Sequence, residues 1–228
     1  MKKIIFGIFA HPDDEAFGPC GMLLKEVRNG AELHLILLTD GGAGMNPDNL
    51  EDLGETRLEE WRKAGALLEA TTMDYLGFKD GQLNNTAMIE AGDKIIACVS
   101  NVLLTTPEDA VVEFVTLDLN GITGHIDHIV AARAASFAFY RLKQHDLRFD
   151  SIRYTCLPRS LVTAPNTSWI FMEAGRNKSE IDEVIDARNL KDDILTIMRM
   201  HRTQRSDFEQ FLASQGESIG LNYFVVRR

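Results

Sequence analysis

Two short stretches of this chain concentrate side chains that do chemistry. The first is His11-Pro12-Asp13-Asp14-Glu15, one imidazole and three carboxylates within five residues. Adjacent carboxylates repel each other, and the repulsion grows as water is excluded. A divalent cation relieves it. His11 and Asp14, three apart across a turn, are spaced to bind one ion, which leaves Asp13 facing the other way as a base for a bound water. The second stretch is Gly124-His125-Ile126-Asp127-His128, two histidines with an aspartate between them. A carboxylate beside an imidazole fixes its tautomer and holds it protonated. That contact outweighs the ~0.3–1 kcal/mol by which a helix N-terminus disfavours imidazolium. One histidine is then free to be a ligand and the other a proton donor. Each residue alone has a plainer reading: Asp13 or Asp14 as a helix cap, a lone histidine as core or surface.

The surrounding pattern has to bring the two stretches together. Ile4 to Phe9 and Leu33 to Leu38 are continuous apolar runs, as in strands covered on both faces. Between them Cys20 to Arg28 has helical spacing and closes at Asn29-Gly30, giving a strand–helix–strand unit. Residues 43–54, rich in Gly, Asn and Asp, read as a loop. Thr56 to Ala70 reads as an amphipathic helix, Met73 to Phe78 as a strand leading into the turn Lys79-Asp80-Gly81, and Ala87 to Leu104 as a helix. Ala110 to Leu117 is a further buried strand, and His128 to Leu142 a helix apolar on most of its circumference. Ser151 to Leu157, Trp169 to Glu173 and Asn222 to Val226 look like strands, and Ile181 to His201 is expected to be mostly helical. The alternation predicts an α/β fold, a mostly parallel sheet with helices on both faces. Sites in such sheets lie beyond the carboxyl ends of strands. The first cluster follows the first strand and the second follows the fourth, so both fall on one edge.

Composition narrows the partners. The 228 residues are 45% apolar with a net charge of −10, which suits one sizeable core and opposes binding to nucleic acid. The N-terminal run Ile4 to Ala10 is cut off by the His11 cluster too early for a signal peptide, and no stretch approaches the ~20 apolar residues of a membrane span. Cys20, Cys98 and Cys156 form no C-x-x-C pair and fit reduced thiols in a cytoplasm.

Ala10 to Glu15 resembles the A-H-P-D-D-E signature of the LmbE-like, or PIG-L, zinc deacetylases, and Thr123 to His128 resembles their T-G-H-P-D-H signature with Ile126 in place of proline. Arg57-Leu58-Glu59-Glu60, Leu76 to Gly81 and His201-Arg202-Thr203-Gln204 are similar to that family's middle and C-terminal patterns. The resemblance implies a single-domain, Rossmann-like α/β fold over residues 1–228 and removal of an N-acetyl group from an N-acetylglucosamine-type substrate. It implies His11, Asp14 and His128 as ligands to Zn2+, with Fe2+ as another possible ion. It implies Asp13 as general base, and His125, oriented by Asp127, as the group facing the oxyanion and leaving nitrogen. Arg57 and His201 match positions at the substrate. A homo-oligomer is a further expectation. Two rivals stand beside this reading. Two histidines and a carboxylate also describe non-haem iron oxygenases, though the spare Asp13 and the His125-Asp127 pair favour hydrolysis. A silent sugar-binding module is the other, and no G-x-G-x-x-G follows any strand to suggest nucleotide binding.

Overall fold

The structure, a computed structural model, describes residues 1–162 and 175–228. Among the described residues, seven strands form one sheet in the order β3-β2-β1-β4-β5-β7-β6. The first three are β1 (Lys3–Phe9), β2 (Glu32–Thr39) and β3 (Thr72–Phe78), and β4 (Val111–Leu117) and β5 (Phe149–Cys156) lie on the other side of β1. All five run parallel. The chain returns through β7 (Leu221–Arg227), antiparallel to β5, and β6 (Glu183–Asp186) closes the edge antiparallel to β7. β1 and β4 are adjacent, Gly7 opposite Val115, although a hundred residues separate them in the chain. The strand order reverses between them, and this is where an open α/β sheet leaves a crevice.

The apolar runs of β1, β2 and β4 are buried almost throughout, because helices cover both faces. On one side lie α2 (Cys20–Arg28), α3 (Leu53–Leu67) and α7 (Lys191–Met198); on the other α4 (Asn85–Leu103) packs on α6 (Ile126–Lys143). α6 can be sandwiched because alanines 131, 134, 135 and 138 are fully buried and let it approach the sheet. Two short segments follow the strands that carry the clusters: α1 (Asp14–Phe17) after β1, and the irregular turn α5 (Gly121–Gly124) after β4, with Ile122 at φ 65°.

Some boundaries differ from expectation. The third helix begins at Leu53, three residues early, because Asp52 accepts the Glu55 amide as an N-cap. The helix expected from His128 begins at Ile126. The stretch from Ile181 to His201 is not mostly helical. Val184 and Ile185 of β6 pair with Tyr223 and Asn222, and the stretch holds a 3-10 turn at Arg188–Leu190 and α-helix over Lys191–Met198. The alternation of half-buried and exposed positions along β6 is a strand period overlooked beside the longer helical one. α8 (Arg205–Gln215) was not anticipated. The strand expected at Trp169 to Glu173 lies outside the described residues. Among the described residues, no helix is long and apolar enough to cross a membrane.

Candidate metal and acyl-transfer site

The end of β1 is turned back so that Asp14 folds over the strand terminus. Its Oδ2 accepts the amides of Ala10 and His11 at 3.0 and 2.9 Å. Its Oδ1 lies 3.2 Å from Nε2 of His128, in the first turns of α6. That nitrogen is 3.1 Å from Nδ1 of His11, and His11 Nδ1 is 3.9 Å from Asp14 Oδ2. Ligand atoms bonded tetrahedrally to zinc at about 2.0–2.1 Å stand roughly 3.3 Å apart, so the two contacts of His128 Nε2 have the right scale, while the approach of His11 to Asp14 is longer. The other ring nitrogen of each histidine is occupied. His128 Nδ1 faces the Gly121 carbonyl at 3.2 Å, and His11 Nε2 lies 3.0 Å from Asp80 Oδ1 and 3.4 Å from Asp127 Oδ2. Partners on the far nitrogen turn the near lone pairs toward each other, as around protein-bound metals. Two further groups, His11 with His125 and His128, and His11 with Asp80 and Asp127, also bring ligand atoms within 4.8 Å of one another.

The electrostatics favour a cation at this spot. Burial alone would lower the His11 pKa, but its hydrogen bonds to Asp127 and Asp80 and the charge of Asp14 push it up to about 10. Burial would raise Asp14, but the charge of His128 and its hydrogen bond hold that carboxyl well below the usual range. Without a metal, protons do the work of balancing three buried carboxylates, and a divalent ion suits that donor set.

Asp13 sits at the N-cap of α1, yet its side chain makes no capping bond. Its φ of 118° is one that L residues rarely adopt, costing of order 1–3 kcal/mol and concentrated at functional sites. Its carboxylate meets Nη2 of Arg57 at 3.0 Å. Burial pushes the Asp13 carboxyl up to about 6, against the opposing charge of Arg57. That value suits a group that takes and returns a proton near neutrality. Arg57 is itself buried. It donates to the carbonyls of Pro12 and Gly41 at 2.7 and 2.9 Å, so these contacts tie it to Asp13 and the β2 loop. Gly41, at φ 68°, makes room for it, since a Cβ there would stand 2.5 Å from the guanidinium carbon.

The second cluster differs from expectation. His125 caps α6, its Nδ1 accepting the amide of Asp127 at 3.2 Å, so the bond between the two residues runs through the backbone. The Asp127 carboxylate instead accepts the amides of Gly81 and Leu83 at 2.7 and 3.2 Å and reaches His11. It orients His11 rather than the ring of His125. Burial and the nearby charges of His128 and His11 bring the His125 pKa down to about 4, so the carboxylate does not hold it protonated. With Nδ1 accepting, the neutral ring carries its proton on Nε2.

His201 was expected at the substrate. It is buried, 1% exposed, with Nε2 at 2.7 Å from Glu15 Oε1, behind Asp13. Asp80 and Glu15 are the contributors missed. Asp80 lies in the Lys79-Asp80-Gly81 turn and locks to the Ala43 amide at 2.8 Å while holding His11. Beside Asp14 and His128 lies a cavity of about 200 Å³ whose walls include Phe17, Ile194, Met198 and Phe211. Cys20 also lines it, but burial pushes its thiol far up, which leaves no thiolate for catalysis.

The sequence pattern of the family PIG-L, GlcNAc-PI de-N-acetylase, matches residues 6–139, a span that contains both clusters. The chain belongs to the PIG-L family. A relative in Bacillus subtilis (strain 168), a probable N-acetyl-alpha-D-glucosaminyl L-malate deacetylase 2, is 25% identical over 90% of this chain and 84% of its own. The N,N'-diacetylchitobiose deacetylase of Pyrococcus horikoshii shares the fold at a TM-score of 0.63 and 19% identity, covering 99% of this chain and 83% of that one. A 4-carboxy-2-hydroxymuconate hydratase from Pseudomonas putida KT2440 has the same TM-score at 13% identity, covering 100% and 97%. Proteins of this fold therefore differ in reaction, and the site has to decide it.

Proposed function

We propose that residues 1–228 form one deacetylase domain that removes the N-acetyl group of an N-acetylglucosamine-type conjugate with a divalent metal, zinc in the first instance. The observation that carries this is the approach of both His11 Nδ1 and Asp14 Oδ1 to His128 Nε2, beside Asp13 with its strained backbone. His11, Asp14 and His128 hold the ion. When bound it supplies a Lewis acid that acidifies water and polarises the amide carbonyl.

The chain's own residues do the rest. Asp13 takes the proton of the attacking water at its carboxylate, with Arg57 fixing the carboxylate's direction. His125 offers a neutral Nε2–H to the oxygen on which charge develops, at no cost of ionising a buried ring. The proton held by Asp13 passes to the nitrogen, and acetate and a free amine leave. Asp80 and Asp127 keep His11 in the ligating tautomer. The reading extends to a cytoplasmic location, in keeping with the three free cysteines.

The test is acetate release from a panel of N-acetylated amino sugars by the metal-loaded chain, with chelator and without dioxygen as the two controls. Release that survives without dioxygen and stops with chelator is expected. Release from no member of the panel, with one metal bound per chain, would favour a silent binding module.

A further inference from the structure

Two buried ionisable side chains next to Asp13 have no part in the reaction above. Glu15 is fully buried and His201 is 1% exposed, and 186 positions separate them in the chain. Glu15 uses both oxygens. Oε1 meets His201 Nε2 at 2.7 Å, and Oε2 accepts the backbone N–H of Asp13 at 3.2 Å. His201 is anchored in turn. Its amide donates to the Met198 carbonyl at the end of α7, and two residues on the amide and hydroxyl of Thr203 donate to Glu60 of α3 at 3.1 and 2.7 Å.

A backbone conformation as unusual as that of Asp13 persists only where its surroundings over-determine it. Arg57 grips the carboxylate and the preceding carbonyl, and Glu15 grips the amide. We infer that Glu15 and His201 are positioning residues, which hold the backbone of Asp13 in its strained geometry so that its carboxylate meets the water of the reaction. This rests on Asp13 being the base. A contribution to stability alone explains the pair poorly, because a buried ion pair is seldom better than an apolar pair of similar volume. A hydrogen bond onto the amide of the strained residue is the specific feature. It gives the C-terminal His201-Arg202-Thr203-Gln204 segment a task without contact to substrate.

The test is the double variant Glu15→Leu/His201→Phe in the full, metal-loaded chain, since exchange of a buried pair for apolar groups is compatible with folding. Expected are one metal per chain, a KM within about threefold of the parent, and a kcat for acetate release about 10–100-fold lower, a displacement of about 1 Å costing up to about 100-fold. Its crystal structure is expected to show Asp13 moved away from φ near 118°. Glu15→Gln keeps an acceptor for the Asp13 amide and is expected to recover most of the kcat. Should the double variant not fold, Glu15→Asp shortens the arm so that it cannot span both partners, and the same losses are expected. A kcat within twofold of the parent, or an unmoved Asp13 backbone in the crystal, overturns the inference. The backbone readout does not need turnover, so a parent that releases no acetate sinks the deacetylase reading while leaving this test standing.

Discussion

Replacing Asp127 by Asn separates two accounts of that residue. Its carboxylate accepts the amides of Gly81 and Leu83 at 2.7 and 3.2 Å and lies 3.4 Å from His11 Nε2, while its own amide donates to His125 Nδ1 at 3.2 Å. Asparagine keeps the shape but offers one oxygen and one NH2, so at least one of the three partners then meets a donor with a donor. At 2% exposure no solvent replaces the lost bond. A hydrogen bond to a charged acceptor contributes about 1.5–3 kcal/mol. In a chain of this length each kcal/mol moves Tm by about 2–4 °C, so the metal-free protein should melt roughly 3–12 °C lower. Because the bond to His11 orients a ligand on the proposed reading, metal affinity should fall about 10–100-fold. Competition with a chromophoric chelator measures that affinity, and kcat is then read at saturating metal, where most of it should return. An unchanged metal Kd together with a kcat that stays 100-fold down would place Asp127 on His125 instead and refute the argument.

Asp13→Asn should lower kcat by about 10²–10⁴ with one metal still bound, read by acetate release and metal analysis. Because burial already disfavours the Asp13 carboxylate, holding its pKa near 6, the metal-free Tm of that variant should not fall. Adding metal at about 100 times its Kd should stabilise the chain by about 2.7 kcal/mol, seen as a Tm rise of roughly 5–11 °C that chelator reverses. Gly18→Ala should cost about 1–3 kcal/mol and weaken metal binding, because the new Cβ would stand 2.8 Å from the carbonyl of Asp14; calorimetry and the chelator competition check both.

The parallel strands were legible because burial on both faces leaves uninterrupted apolar runs, and each reactive cluster was legible as a dense polar segment at a strand end. Their convergence followed from the rule for strand ends, without any contact being known. The shell behind the ligands was not legible. Asp80 reads as a turn residue, and its role depends on where the β3 exit falls against the Ala43 loop and His11. Glu15 and His201 gain meaning only from a contact across most of the chain. Asp127 lies two positions from His125, but such neighbours can meet through an amide as well as a carboxylate, and the cap geometry of α6 uses the amide. In β6 a four-residue strand lies beside a helix, too short for its period to stand out.

The adjacency of β1 and β4 bears on how the chain matures. His11 follows one of these strands and His128 the other, so on the proposed ligand assignment no fragment that ends before β4 has registered against β1 can own a complete ligand set. Closing that long excursion of chain is entropically slow. Capture of the ion should therefore trail sheet assembly in a refolding experiment, and the ion should act as a latch on the finished topology, not as a nucleus for it.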